Sequence, residues 1–272
     1  MMTIDEQLRT VVLQGSLIAD SLAMTPHWIY DPSEIKQRFG RIDSLLEPVN
    51  SYHSNQPKGG QTHLGHQTIV LFEALRDNVD FAEQLREFWA ESSSYQDHST
   101  KVFLEGGSDH SDEMAGASRF AAVFAAVPTD QMHDAMRDQV LVTHSEIVAK
   151  VGLQFISLMD RLVNGAKLLQ AVEDEFAGSD WLRQAIEEVE GKEPNEALAI
   201  LGRDCSLMSA LPSVIYLLRR SKDYKETLIE NVMAGGDSAS RGLILGALLA
   251  LSDGEKSIPE QWQKDLQYQI NT

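Results

Sequence analysis

The chain has 272 residues, 43% hydrophobic and 24% charged, the balance of a globular protein long enough for a sizeable core. Lys and Arg number 23 against 41 Asp and Glu; the net charge of −18 disfavours nucleic acid and anionic membrane surfaces and fits a cytoplasmic protein. A single cysteine, Cys205, excludes an internal disulfide framework and a cysteine-rich metal site. No apolar stretch reaches the ~18–20 residues of a membrane span, and residues 1–13 lack the charged-then-apolar pattern of a secretory leader.

Residues 4–22 have apolar positions Leu8, Val11, Val12, Leu17, Ile18 and Leu22 near a helical period, with Gly15, Ser16, Ala19 and Ser21 small enough to admit a second helix closely. Asp20 interrupts this apolar run, as a solvent-facing or helix-capping acid or as an acid held in a central site. Pro26 and Pro32 bracket His27, Trp28, Tyr30 and Asp31, a loop that either plugs the core or lines a pocket. Residues 33–39 form a short helix with Ser33 as cap. Residues 43–60 are rich in Pro, Ser, Asn and Gly, a long loop expected to act as a cover.

Gln61 to Thr68 leads into a helix over 69–75. His63 and His66, three apart, either share a helix face and ligate a transition metal or serve as capping and hydrogen-bonding groups. Further helices are expected over 81–92 and 101–104, with Asp97 and His98 before the latter as a cap or as site residues. A loop over 106–113 carries Asp109, His110 and Asp112. An alanine-rich helix spans 115–126, in which Arg119 makes a structural ion pair or binds an anion. Helices follow over 130–140 and from Thr143, with His144 just inside, to about Leu162; then over 181–189, 197–201, 209–220 with Pro212 in its first turn, and 224–233.

The stretch from Met233 to Leu251 is the most informative. Gly235 and Gly236 free the backbone, Asp237, Ser238 and Ser240 supply oxygens, and an apolar helix follows. Such a helix start suits a phosphate, a metal held by oxygens, or simply a capped helix. Strand signals are nearly absent. The fold class is all-α, one domain over 1–272, with polar loops converging on a common site.

In this order, Ala19-Asp-Ser-Leu-Ala23, Gly65-His-Gln-Thr68, Ala115-Gly-Ala-Ser-Arg119, Thr143-His144, Leu211-Pro212 and Gly235-Gly-Asp-Ser-Ala-Ser240 resemble the ADP-ribosylglycohydrolase superfamily over nearly the whole chain. His27-Trp-Ile-Tyr-Asp31 and the Gly235 motif are similar to its J-type crystallin-like branch. The resemblance implies an orthogonal multi-helix domain around a central cleft. Active members hold two Mg²⁺ there and cleave the N- or O-glycosidic bond joining ADP-ribose to a protein side chain or small acceptor. It also implies an ADP-ribose-like ligand near His27, Gly116, Ser118, Arg119, His144, Gly235 and Gly236, with Asp20, Asp97 and Asp237 as the acids to test.

The motifs also depart from the family. Thr-Asp-Asp-Thr is replaced by Gly65-His66-Gln67-Thr68, and the second acid of the Gly-Gly-Asp motif by Ala239. Of six usual side-chain ligands, Asp237 and Ser240 remain, so a two-Mg²⁺ centre is expected to be lost. One Mg²⁺ or other divalent ion at Asp237 and Ser240, with His66 and Gln67 nearby, is the metal-binding alternative. A member without activity, binding a nucleotide sugar or serving a structural, crystallin-like role, is the functional alternative. A third reading is a hydrolase of another N-glycoside or amide using His27, His66 and His98.

Overall fold

A computed structural model describes residues 4–49, 52–107 and 110–270; Asp109, and positions 50 and 51 of the expected cover, lie outside the described residues. The helices are α1 (Ile4–Ala23), α2 (Pro32–Phe39), α3 (His63–Asp77), α4 (Phe81–Glu91), α5 (His98–Leu104), α6 (Ala115–Ser118), α7 (Phe120–Ala126) and α8 (Met132–Leu141). Then follow α9 (Glu146–Val163), α10 (Leu168–Phe176), α11 (Asp180–Glu188), α12 (Pro194–Leu201), α13 (Leu207–Arg220), α14 (Tyr224–Met233), α15 (Ser238–Asp253) and α16 (Glu260–Asp265). Among the described residues the only β pairing is two isolated bridges, Ser111 with His144 and Glu113 with Ser206. No described helix is long and apolar enough to cross a membrane.

The core is a crossing of α1 on α15. Every residue of α15 from Ser238 to Ala250 is buried, which is why its sequence is apolar all round rather than on one stripe. The small residues allow the backbones to touch. A Cβ added at Gly15 would lie 2.5 Å from Ala250 Cβ and 2.8 Å from the Gly246 carbonyl, and one at Gly246 would enter the Gly15 carbonyl. Side chains stitch the same crossing: the Tyr224 hydroxyl donates to Gly15 O at 2.7 Å, and the Ser16 hydroxyl to Leu243 O at 2.9 Å.

Several helix ends differ from the sequence expectation, each for a local reason. Helix α2 is capped by Asp31, which accepts from Ser33 N at 2.8 Å, with Pro32 rather than Ser33 opening it. Helix α3 begins six residues before Ile69, because Thr62 caps it. The alanine-rich stretch breaks at Arg119 into α6 and α7. Helix α9 begins at Glu146, leaving His144 outside it, and α13 begins at Leu207, placing Pro212 in its interior. Helix α10 adds to those expected; its buried Leu168, Ala171, Val172 and Phe176 recur at helical spacing.

Candidate functional site

The N-terminal ends of α3, α5 and α15 and the loop after α1 meet at one place. Asp20, fully buried on α1, accepts from both Thr62 N (2.7 Å) and the Thr62 hydroxyl (2.6 Å). Thr62 in turn accepts from Leu64 N and caps α3. Burial pushes the Asp20 carboxyl up to about 6 against the lowering effect of those two bonds. A Cβ at Gly65 would collide with Asp20 and Gln61, so the glycine that replaces the family's hydroxyl residue is what admits this acid.

At the other helix start, Gly235 (φ 75°) and Gly236 (φ 71°) make a left-handed turn. The turn is clamped to the 24–32 loop: Gly236 N donates to Ile29 O at 2.8 Å and Trp28 N to Gly236 O at 2.9 Å. Buried Arg241 donates to Asn231 Oδ1 (2.9 Å) and Gly235 O (2.6 Å) and holds the turn from below. Asp237 caps α15, accepting from Ser240 N and from the Ser240 hydroxyl, and its Oδ1 lies 3.1 Å from His27 Nε2. Burial would raise this carboxyl, but the bonds from His27 and Ser240 win and hold it at about 2.

Three histidines converge beside it. His27 comes from the loop after α1, His53 from the 43–60 loop and His63 from the first position of α3, and all three are buried. Their ring centroids lie 5.3, 5.7 and 5.8 Å apart with interplanar angles of 5°, 11° and 16°. His27 Nδ1 is 3.1 Å from His53 Nε2. His63 Nε2 is 3.4 Å from Oδ2 of Asp97, and its buried Nδ1 has no hydrogen-bond partner. Asp97 caps α5, accepting from Thr100 N at 2.7 Å. Burial opposes ionisation of Asp97, yet His63 and Thr100 hold it well below the ordinary carboxylate range.

Above the histidines stand Trp28, Tyr52 and Tyr95. Their centroids are 4.9, 5.3 and 5.2 Å apart at angles of 78–86°, each ring edge-on to the next. Trp28 lies on His27 (4.3 Å) and His63 (5.2 Å), and Tyr95 on His63 (5.4 Å). Trp28 and Tyr95 are half-buried and Tyr52 is 39% exposed, so this wall reaches solvent. Trp28 has φ 64°, a left-handed backbone that costs a tryptophan of order 1–3 kcal/mol and is held by the clamp to Gly236. Half-buried Glu113 faces the same region, accepting from the Cys205 thiol at 3.0 Å. Burial, then the charges of Asp97 and Asp237, raise its carboxyl despite the thiol's hydrogen bond.

The remaining candidates lie elsewhere or are already engaged. His66 does not join His63: its Nε2 pairs with Gln56 Oε1 at 3.1 Å and its ring packs on Phe88, because the first residue of a helix tips back over the N-terminus while His66 faces α4. Gln67 spends both amide atoms, accepting from Arg119 (3.0 Å) and donating to Thr100 (3.0 Å). Arg119 donates to Gln67 (3.0 Å) and Thr143 (3.1 Å) and lies over the Phe81 ring, and burial lowers it to about 10. The Gly116 N–H donates to His144 Nε2 at 3.2 Å, and the Ser118 hydroxyl to Ala115 O at 2.8 Å. His98, the first residue of α5, is exposed, unlike buried His27.

His53, Tyr52 and Glu113 escaped the sequence reading. The signal for the first two was an aromatic–histidine pair inside a loop rich in Pro, Ser, Asn and Gly; Glu113 had none.

An all-α scaffold with polar helix starts facing one cleft is the class this architecture defines. The family model described as ADP-ribosylglycohydrolase matches residues 6–271, and the chain belongs to that family. An uncharacterized protein of Archaeoglobus fulgidus is 24% identical, over 96% of this chain and 92% of its own length. Crystallin J1A of Tripedalia cystophora is 21% identical, over 91% and 88%. Among solved structures, an "ADP-ribosylglycohydrolase-related protein complex" has a TM-score of 0.75 at 19% identity, covering 96% of this chain and 93% of that one, which shows the shared fold.

Proposed function

We propose that this family member binds an ADP-ribosyl or related nucleotide-sugar ligand at the Trp28–Tyr52–Tyr95 wall, without the two-magnesium hydrolytic centre that the family resemblance implies. The observation that carries this reading is the cluster of Trp28, Tyr52 and Tyr95, partly open to solvent and packed on the buried histidines beside the start of α3. Aromatic faces take a base or sugar by stacking, at ~1–3 kcal/mol per base.

The donor set does not fit two Mg²⁺ ions, which demand oxygen ligands. His66 and Gln67 stand where two carboxylates would be and are bonded to Gln56, Arg119 and Thr100. The Thr68 hydroxyl donates to Leu64 O, Ala239 offers no donor, and both Asp237 oxygens accept from Ser240 or His27. Asp20 acts on the site by fixing the Thr62 cap. Of the suggested ligand-binding groups, Gly116, Ser118 and His144 serve a polar layer under the cleft, while Gly235 and Gly236 shape its edge. The net charge of −18 and the free thiol of Cys205 support a cytoplasmic protein with a small-molecule or protein-attached ligand rather than nucleic acid.

Thermal shift with ADP-ribose tests the reading. A stabilisation that needs no Mg²⁺ and is lost in Trp28→Ala is expected; no shift at millimolar ligand would remove ADP-ribose as the ligand class. Glu113 favours a second reading. A half-buried carboxyl that burial raises above the ordinary carboxylate value, near Tyr95, suits a general acid for glycosidic cleavage. Turnover of an ADP-ribosyl substrate that is Mg²⁺-independent and abolished by Glu113→Gln would establish it, and absence of turnover by the wild-type chain would exclude it.

A further inference from the structure

We propose that His27, His53 and His63 form a binding site for one transition-metal ion, of the zinc or cobalt(II) class, occupying the region between α3 and the start of α15. The site is independent of the nucleotide-sugar reading.

One nitrogen of each ring lies within 4.8 Å of the other two, and the group is entirely buried. Zn–N bonds of ~2.0–2.1 Å in a tetrahedron place ligand nitrogens about 3.3–3.4 Å apart; the His27 Nδ1 to His53 Nε2 distance is 3.1 Å. The three centroids form a nearly equilateral triangle with sides of 5.3–5.8 Å, and the ring planes lie within 16° of one another, so in-plane lone pairs would meet a shared ion in an arrangement flattened toward trigonal.

The decisive feature is what lies behind the rings. Asp237 faces Nε2 of His27, and Asp97 faces Nε2 of His63. Each carboxylate keeps the proton of a neutral imidazole on the outer nitrogen and turns the Nδ1 lone pair inward. Two lone pairs so fixed share a small buried space with the His53 ring. One hydrogen bond from His53 satisfies only His27; His63 Nδ1 remains a buried acceptor with no donor. An orphaned buried polar atom is costly, and a cation satisfies all three nitrogens at once. Imidazole nitrogen backed by a carboxylate is the ligand of zinc and its neighbours, not of Mg²⁺. Three protein ligands leave a fourth position for water or a ligand oxygen.

The test begins with full-length protein stripped by a chelator, reloaded with Zn²⁺, Co²⁺ or Mg²⁺ and desalted. The expected result is one Zn²⁺ or Co²⁺ retained per chain, a Co²⁺ visible spectrum of nitrogen-rich tetrahedral type, a raised Tm with Zn²⁺, and no effect of Mg²⁺. His53→Ala and His63→Ala should each weaken Zn²⁺ binding at least 100-fold, with His53→Gln as the gentler variant should the alanine not fold. Asp97→Asn, which retains a side-chain cap for α5, should weaken it 10–100-fold. His66→Asn should leave it unchanged. Failure to retain Zn²⁺, or retention unaltered in the His53 and His63 variants, would overturn the site and leave the rings as a hydrogen-bonded chain with a water at His63.

Discussion

His144 and the trio of His27, His53 and His63 are buried to the same degree, yet their surroundings differ in one respect. His144 is complete: Nε2 accepts from Gly116 N and Nδ1 meets the Thr143 hydroxyl at 2.7 Å, so both nitrogens are used by neighbours that belong to the frame. The trio is incomplete: two rings are oriented by carboxylates, and one inward nitrogen has no partner. A saturated buried histidine is part of the packing. An unsaturated one marks a place where something else completes the bonding.

The largest expected effect breaks the complete region. His144→Ala removes a buried ring and leaves the Gly116 N–H without an acceptor, and should cost about 2–4 kcal/mol in urea unfolding while Zn²⁺ binding is retained. Gly116→Ala attacks the same contact from the other side, since its Cβ would lie 2.6 Å from His144 Cγ; about 1–3 kcal/mol of destabilisation is expected. Parity of either variant with wild type would deny His144 its structural role.

Acidification should come next. Burial holds His144 at about 3, with Arg119 opposing its charge and Asp97 favouring it, and burial followed by His63 holds His66 at about 4. Both lie below the unfolded value of about 6.5. The unfolded chain therefore takes up protons that the native one refuses, and stability present above pH 6.5 is lost as pH falls toward those folded values. At pH 5 this amounts to about 2 kcal/mol per ring. Asp20, raised to about 6, works the other way and returns roughly 1 kcal/mol between pH 7 and 5. A net loss of about 3 kcal/mol from these groups is expected in denaturant titrations at the two pH values. Its removal in His144→Gln should flatten the slope.

Smaller effects sharpen the incomplete region. Trp28→Ala should lower affinity for ADP-ribose by about tenfold or more, the scale of one lost stacking face, with little change in Tm because the left-handed backbone is relieved at the same time. His53→Ala should change the stability of metal-free protein by about 1 kcal/mol or less, well below His144→Ala, because His53 stands on the 43–60 loop and not between packed helices. A cost equal to that of His144→Ala would place His53 in the frame.

The helices were legible because their causes are local. Apolar spacing in α1, α4 and α9, the cap-forming residues before α15, and the small-residue stripe along α15 all act within a few residues. The differences at α2 and α3 concern which residue caps the helix, and those at α6 and α9 where the helical backbone breaks or begins. Asp20, Asp237 and His27 stood out through the order of motifs and Asp97 as a candidate cap, and the fold brings all four to one buried region. His66 and Gln67 were read as metal groups because they occupy motif positions, whereas the fold turns them toward Phe88 and Arg119.

By itself the sequence determined the all-α class, the family and the glycine turn at 235–236. Tertiary structure alone decided that His27, His53 and His63 meet, that Asp97 and Asp237 stand behind two of them, and that His144 is a strut. The division has a physical cause: helix period, caps and turn conformations follow from neighbours along the chain. Burial, tautomer and hydrogen-bond completeness follow from neighbours in space, and for this site those come from three separate segments whose approach is set by the α1–α15 crossing and the clamp between the 24–32 loop and the glycine turn.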